Sequence, residues 1–347
     1  MTFIKRSSSL LLLSAALLTG CNTVVMNPSG DIAQQQAHLI TVSTLLMLLI
    51  IVPVIVLTLL FAWRYRAANK EATYTPDWDH STKLEVVIWG APILIIIALA
   101  ALTWITTHSL DPYRPLDRID AQRPLPADVK PLEVQVVALD WKWLFIYPEQ
   151  GIATVNEMAA PVDRPINFKL TSSSNMNSFY VPALAGQIYA MPGMQTKLHA
   201  VINKAGDFEG FSANYSGAGF SHMRFTFRAV SEEGFAQWVD SAKKAGGELN
   251  RTTYLALEKP SERVPVQRFA TVEPQLFDVV LNRCVESDKL CMHEMASIDA
   301  KGGMGLTAFD VVTKPVQGSG TNTTLTRRYV TAQACTTADA DRFSVVQ

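Results

Sequence analysis

The stretch "GFSANYSGAGFSHMRF", Gly210 to Phe225, has the spacing of a metal loop but few metal-binding side chains. Ser212 and Ser216 lie four apart, Phe220 follows after another four, and Met223 three later. A dinuclear copper loop would place Cys, Cys, His and Met there, because two thiolates bridge the metals while imidazole and thioether donors close the ends. Serine cannot take the bridging role. Its oxygen is hard and stays protonated at neutral pH, so it offers neither bridge nor charge. The cysteines are Cys21, Cys284, Cys291 and Cys335, and none falls between 22 and 283. The expectation is a loop without a copper pair.

Other residues could do chemistry. His222, with Met223, Met191 and Met194, suits a soft cation such as Cu(I) or Ag(I) if those segments converge, and otherwise packs as surface or core filler. Cys284 and Cys291 precede "MHEM", Met292 to Met295. In an oxidising setting a disulfide is the default, but with Cys335 there are three possible pairings and the sequence does not choose among them. The competing chemistry is a copper patch made of Cys291, His293 and Met295. Glu85 precedes a long apolar run, where a carboxylate is favourable at a helix N-terminus.

Membrane elements position these groups. Met1 to Gly20 reads as an export leader, with Lys5 and Arg6, an apolar run from Leu10 to Leu18, and the exit "LTGC". Leu39 to Trp63 and Val86 to Leu110 carry no formal charge. At about 1.5 Å per residue each reaches roughly 37 Å, enough to cross a hydrocarbon core of about 30 Å. Both are predicted spans, over about 39–63 and 86–110, with Pro53 and Pro92 tolerated inside lipid. Arg64, Arg66, Lys70 and Lys83 lie between them and no Lys or Arg lies between 22 and 38, so the connection is predicted cytoplasmic and both flanks exported. Trp63, Tyr65 and Trp104 are placed to anchor the interfaces. A formal net charge of −1 with no basic stripe argues against nucleic acid as a partner.

Beyond the spans, 112–131 is rich in Pro and charge and reads as a linker. The short runs "LEVQVVAL", "WKWLFIY", "INFKLTS", "SFYVP", "TKLHAVI" and "MRFTFRAV" predict an all-β sandwich or barrel, its strands between about 130 and 230. Ser231 caps a predicted helix whose apolar face is Phe235, Trp238, Val239 and Ala242, and Leu276, Phe277, Val280 and Leu281 make a second such face. The organisation is then a leader over 1–20, a hairpin segment over 21–111, an exported β domain over 112–230, a helical extension over 231–300 and a loosely ordered tail over 301–347.

Several longer motifs carry a resemblance: "FAWRYRA" after the first span, "PILIIIALAALTW" in the second, "DWKWLFIYPEQGIATVNE", "MNSFYVP", "GQIYAMPGMQTKLH" and the serine loop. From the leader to about Phe277 the chain resembles the subunit II family of the bo-type ubiquinol oxidases, the quinol branch of the haem–copper oxidases. The exit at Cys21 resembles a bacterial lipoprotein box, which implies cleavage before Cys21 and acylation of its thiol. In cytochrome c-using relatives the copper ligands are two Cys, two His, a Met and a backbone carbonyl. Their places fall here on Ser212 and Ser216, on Asn177 and Phe220, on Met223 and on Asn214. The resemblance implies a cupredoxin-like Greek-key barrel without copper, following a two-helix transmembrane hairpin. It implies haem and copper in the partner subunit I, with ubiquinol and not cytochrome c as the electron source of the complex. It implies that Glu85 is the mouth of a proton-uptake channel of subunit I, in a bacterial inner membrane. The Trp141 and Trp143 place serves electron entry in the copper-bearing relatives. Without copper behind it, the pair is expected to pack or to touch subunit I.

The spans hold only His108, near an end, and His38 lies just before the first, too few imidazoles for an oxygen-reducing centre in this chain. A rival reading, a membrane-tethered copper-binding or chaperone module, rests on Cys291, His293, Met295 and His222.

Overall fold

The structure, a computed structural model, describes residues 23–300 apart from Tyr74. The leader over 1–20, Cys21, Cys335 and the tail over 301–347 lie outside the described residues.

Two long helices form the hairpin: α1 (Asp31–Arg64) and α2 (Thr82–Ser109). Each begins before its apolar run. The added turns of α1 are Ala and Gln, good helix formers, with Asp31 at the favourable N-terminal end of the dipole. Pro53 and Pro92 sit inside the helices without ending them. Thr58 and Thr106 return their hydroxyls to carbonyls one turn back, at 2.7 and 2.8 Å, so these polar groups are satisfied without water.

The barrel grips the N-terminal end of α1. Ser29 and Gly30 donate their amides to the Ala183 carbonyl at 2.9 Å, and the Asn203 amide donates to Ser29 O at 2.8 Å. A Cβ on Gly30 would stand 2.6 Å from the carbonyls of Leu184 and Val201, so only glycine allows this approach. Asp31 is buried and accepts two bonds from the Arg118 guanidinium, at 2.9 and 3.1 Å. The segment over 112–131 is therefore tied down rather than a free linker. Arg123 also pairs with Asp163 at 2.9 Å, and Pro112 O accepts from the His199 amide at 3.2 Å.

Among the described residues two main sheets face each other. The first joins β1 (Leu132–Leu139), β2 (Lys142–Tyr147), β3 (Ile152–Val155), β5 (Ile166–Ser172), β8 (Thr196–Ala200) and β12 (Gln267–Phe269), in the order β12-β3-β2-β1-β5-β8. The second joins β4 (Glu157–Pro161), β6 (Asn177–Tyr180), β7 (Ile188–Ala190), β9 (Gly206–Ser212) and β10 (Arg224–Val230), in the order β4-β10-β9-β6-β7. Between them Trp143, Phe145, Phe168, Phe179 and Phe225 form an aromatic core. Phe179 and Phe225 stack at 5.3 Å, and Trp143 meets Phe179 edge-on at 5.4 Å. Such pairs each add about 0.5–1.5 kcal/mol beyond the area they bury.

The region predicted as a helical extension does hold helices, and it adds strands that the sequence did not show. It holds α3 (Glu232–Ala245), α4 (Arg251–Glu258), α5 (Leu276–Leu281) and α6 (Met292–Ala300). It also supplies the short strands β11 (Glu248–Leu249) and β13 (Thr271–Val272), and edge strand β12 to the first sheet. Ser231 caps α3 by accepting from the Gly234 amide. Leu249, Tyr254, Phe269, Leu276, Phe277 and Val280 cover the outer face of the first sheet, against Val137, Leu139, Leu144 and Ile146. That cover explains why β2 is buried at every position: a strand covered on both faces reads as a continuous apolar run instead of alternating.

Candidate functional site

The serine loop connects β9 to β10 at one end of the barrel. Its two ends are tied, the Ser212 amide donating to Met223 O at 3.2 Å. β6 runs beside β9, pairing Phe179 with Ser212, and so brings Asn177 to the same place. Ser212 Oγ lies 3.2 Å from Asn177 Oδ1 and 3.2 Å from the Asn214 carbonyl, and accepts from the Ser178 amide at 3.4 Å. Asn177 Nδ2 donates to Asn175 O and Asn214 Nδ2 to Met176 O, both at 3.2 Å. Asn177 and Ser212 are buried, so this internal network replaces the water they gave up.

Asn177, Ser212, Asn214 and Met223 are thus brought together. Met223 is fully buried within the aromatic core. Ser216 and Phe220 belong to the outer part of the loop. Phe220 packs edge-on against Tyr215 at 5.6 Å, and the Ser216 carbonyl accepts from Trp141 Nε1 at 3.0 Å. Ser216 Oγ is buried with no hydrogen-bond partner among the described residues. The donors on offer are hydroxyl, amide and carbonyl oxygens with one thioether, and they do not fit a thiolate-bridged copper pair.

Trp141 roofs this loop. Its backbone is left-handed, at φ 69°, and its ring lies so close that a Cβ on Gly219 would come within 2.5 Å of it. Trp143 points the other way, fully into the core. Lys142, between them, is also buried. Its ammonium donates to the carbonyls of Asp140 and Lys259, each at 2.9 Å, and to Ser261 Oγ at 2.7 Å. Burial pulls its pKa down, against the opposing pull of Asp140. This lysine fastens the segment after α4 to the barrel. The sequence signal for this buried ammonium is a Lys set inside the apolar run "WKWLFIY".

A second buried charge was missed. Glu157 on β4 receives Arg228 at 2.8 Å, Arg268 at 2.7 Å and the Trp238 indole at 3.3 Å. Burial raises its pKa, but the two guanidiniums together outweigh that and hold the carboxyl below its ordinary range. Through these contacts β4, β10, β12 and α3 meet at one carboxylate.

At the far end of the hairpin, Glu85 stands in the first turn of α2. Its Oε1 lies 2.8 Å from Nδ1 of His80, and His80 Nε2 lies 3.1 Å from Thr82 Oγ1. Both side chains of the pair are about half exposed or more, at 62% and 49%. His80 was not singled out from the sequence, because it precedes the helix and falls outside the three- and four-residue spacings of helical pairs.

The candidate soft-metal residues are engaged by other partners. Cys284 is joined to Cys291 in a disulfide, so the sulfur a copper patch would need is already bonded. His222 Nε2 lies 3.1 Å from the Arg263 guanidinium, and a cation beside it disfavours a second one. The Met191–Met194 turn instead meets Met292, whose sulfur would be 2.7 Å from a Cβ on Gly193. Among the described residues no group of three or more His, Cys, Asp or Glu is placed to hold a metal ion.

The family model for the cytochrome c oxidase subunit II periplasmic domain matches residues 132–230, and that for the COX aromatic rich motif matches 243–288. The chain is 53% identical over 271 residues to cytochrome bo(3) ubiquinol oxidase subunit 2 of Pseudomonas putida, covering 78% of this chain and 83% of that one. It is 53% identical over 268 residues to ubiquinol oxidase subunit 2 of Acetobacter aceti, covering 77% and 85%. To quinol oxidase subunit 2 of Bacillus subtilis it is 37% identical over 286 residues, covering 80% and 86%. Among solved structures it is similar to the periplasmic domain of subunit II of cytochrome oxidase from Bradyrhizobium japonicum. That match has 27% identity and a TM-score of 0.32, covering 35% of this chain and 96% of that one.

Proposed function

The chain belongs to the subunit II family of the haem–copper ubiquinol oxidases, and from that membership we propose that it serves its complex without carrying electrons itself. It is a membrane-anchored subunit of an enzyme that oxidises ubiquinol and reduces oxygen, assembled with other subunits and bearing an exported cupredoxin-like domain. In the reading proposed here, haem and copper reside in subunit I, and cytochrome c is not a partner. The hairpin packs against subunit I in a bacterial inner membrane, with Cys21 acylated at the outer surface. Glu85 then receives protons at the cytoplasmic end of α2.

The observation that carries this reading is the donor set at the barrel end. A carrier of single electrons between copper ions needs soft, charged bridging ligands, and Ser212 with Asn177 and Asn214 forms a neutral hydrogen-bonded network in their place. Oxygen donors of this kind favour neither copper oxidation state over water, so a relay through the barrel has no resident step.

Met223→Leu removes the one ligand type retained at the loop while nearly conserving volume. In the assembled oxidase its ubiquinol turnover is expected to stay within about twofold of the parent. A loss of tenfold with normal haem content would overturn the reading. Glu85→Ala tests the proton assignment separately: turnover and proton uptake are expected to fall about tenfold, and an unchanged enzyme would remove Glu85 from the path.

A further inference from the structure

Beside Glu85 stands a group that the sequence did not mark. His80 Nδ1 lies 2.8 Å from the carboxylate and its other ring nitrogen lies 3.1 Å from Thr82 Oγ1, so the imidazole is held by both nitrogens. Thr82 opens α2, and the Glu85 amide is already committed to Ser81 O at 3.0 Å. The arrangement therefore fixes a ring against an acid at the one turn where the proposed path meets the cytoplasm. The other charged groups of this connection are Arg66, Lys70, Glu71, Asp77 and Asp79, and Lys83 follows in the first turn of α2. Among the described residues, Glu85 and Thr82 lie within bonding distance of the imidazole.

We infer that His80 collects protons from the cytoplasmic water and hands them to Glu85, setting how well the oxidase works as protons become scarce. This rests on the proposed role of Glu85. Imidazole is the side chain whose ordinary range reaches the pH of a cytoplasm, so a ring held against the acid and open to water gives arriving protons a place to land beside it. In the transfer, imidazolium Nδ1–H breaks and an O–H bond forms at Glu85 Oε1. The neutral ring keeps its remaining proton on Nε2, directed at Thr82 Oγ1, and Nδ1 is recharged from water. No electrons move and no other reactant is required.

The test uses the assembled oxidase in dilute non-imidazole buffer, comparing the parent, His80→Gln and Glu85→Ala across pH 6 to 8.5. His80→Gln is expected to turn over ubiquinol within about twofold of the parent at pH 6 and about fivefold slower at pH 8. Added free imidazole is expected to restore most of the loss, and haem spectra should match the parent. A loss equal at every pH and not relieved by imidazole would assign His80 a structural role and overturn the inference. So would parental behaviour of His80→Gln alongside a slowed Glu85→Ala. If Glu85→Ala itself behaves as the parent, the reading on which this rests fails, and the inference falls with it.

Discussion

The barrel buries the large side chains of its core, Trp143, Phe145 and Phe179 among them, while the hairpin leaves Leu49, Val86 and Leu94 exposed by 63%, 67% and 68%. The first region completes itself; the second leaves its apolar surface uncovered, for lipid and, in the proposed reading, a neighbouring subunit to finish. The polar groups divide in the same way. Ser212, Asn177 and Asn214 answer one another inside the barrel, and Asp31 answers Arg118 where barrel and hairpin meet. His80 and Glu85 answer one another but remain open to water at the hairpin's turn. Substitutions in the barrel should therefore register as stability of this chain, and substitutions at the turn as turnover of the complex.

The largest effect expected in the barrel comes from Trp143→Ala, which opens a cavity among Phe179 and Phe225 and should cost about 4 kcal/mol in denaturant unfolding of the full chain. Turnover per assembled complex should hold; a slowed enzyme with unchanged stability would break the contrast between the regions.

Glu157→Gln should cost about 3 kcal/mol at pH 7, because it leaves Arg228 and Arg268 without their shared carboxylate. The folded carboxyl is held below its ordinary range, so between the folded and unfolded pKa values the unfolded chain binds more protons and stability rises with pH. The contribution is full above the ordinary value of about 4.3 and is lost as pH falls below it through the depressed folded value. Unfolding curves for parent and variant should thus converge in acid; a gap that widens there would contradict the pairing.

Arg118→Ala strands the buried Asp31 at the junction and should cost about 2 kcal/mol, the guanidinium being partly open to solvent. Faster hydrogen exchange of the Ser29 and Gly30 amides would locate the loss at the grip on α1, and unchanged exchange would place the junction's strength elsewhere. The smallest effect belongs to Ser212→Ala, about 1 kcal/mol for its lost hydrogen bonds, with turnover unaltered.

The two regions were also unequally legible in the sequence. The spans stood out because uncharged runs of that length have few alternatives, and only their polar first turns, as at Asp31, went unread. Strands β1, β2, β5 and β10 showed through their branched and aromatic residues. β9, with "GDFEGFS", hid behind its glycines and charges, and β7 and β12 are too short for periodicity to mark. The aromatic motif's return onto the first sheet depends on contacts far apart in sequence, such as Arg268 with Glu157, which no local pattern encodes. At the serine loop the residue types alone argued against a copper pair, whereas the hydrogen-bond network needed β6 and β9 side by side. The turn at His80 needed the exact placement of a ring before a helix begins.

The central claim, that no electron passes through the barrel, is tested most directly by electron paramagnetic resonance of the purified, oxidised quinol oxidase. The expected spectrum contains no signal from a mixed-valence copper pair, with the chain present in full amount. Such a signal, delocalised over two coppers and lost on Met223→Leu, would contradict the account.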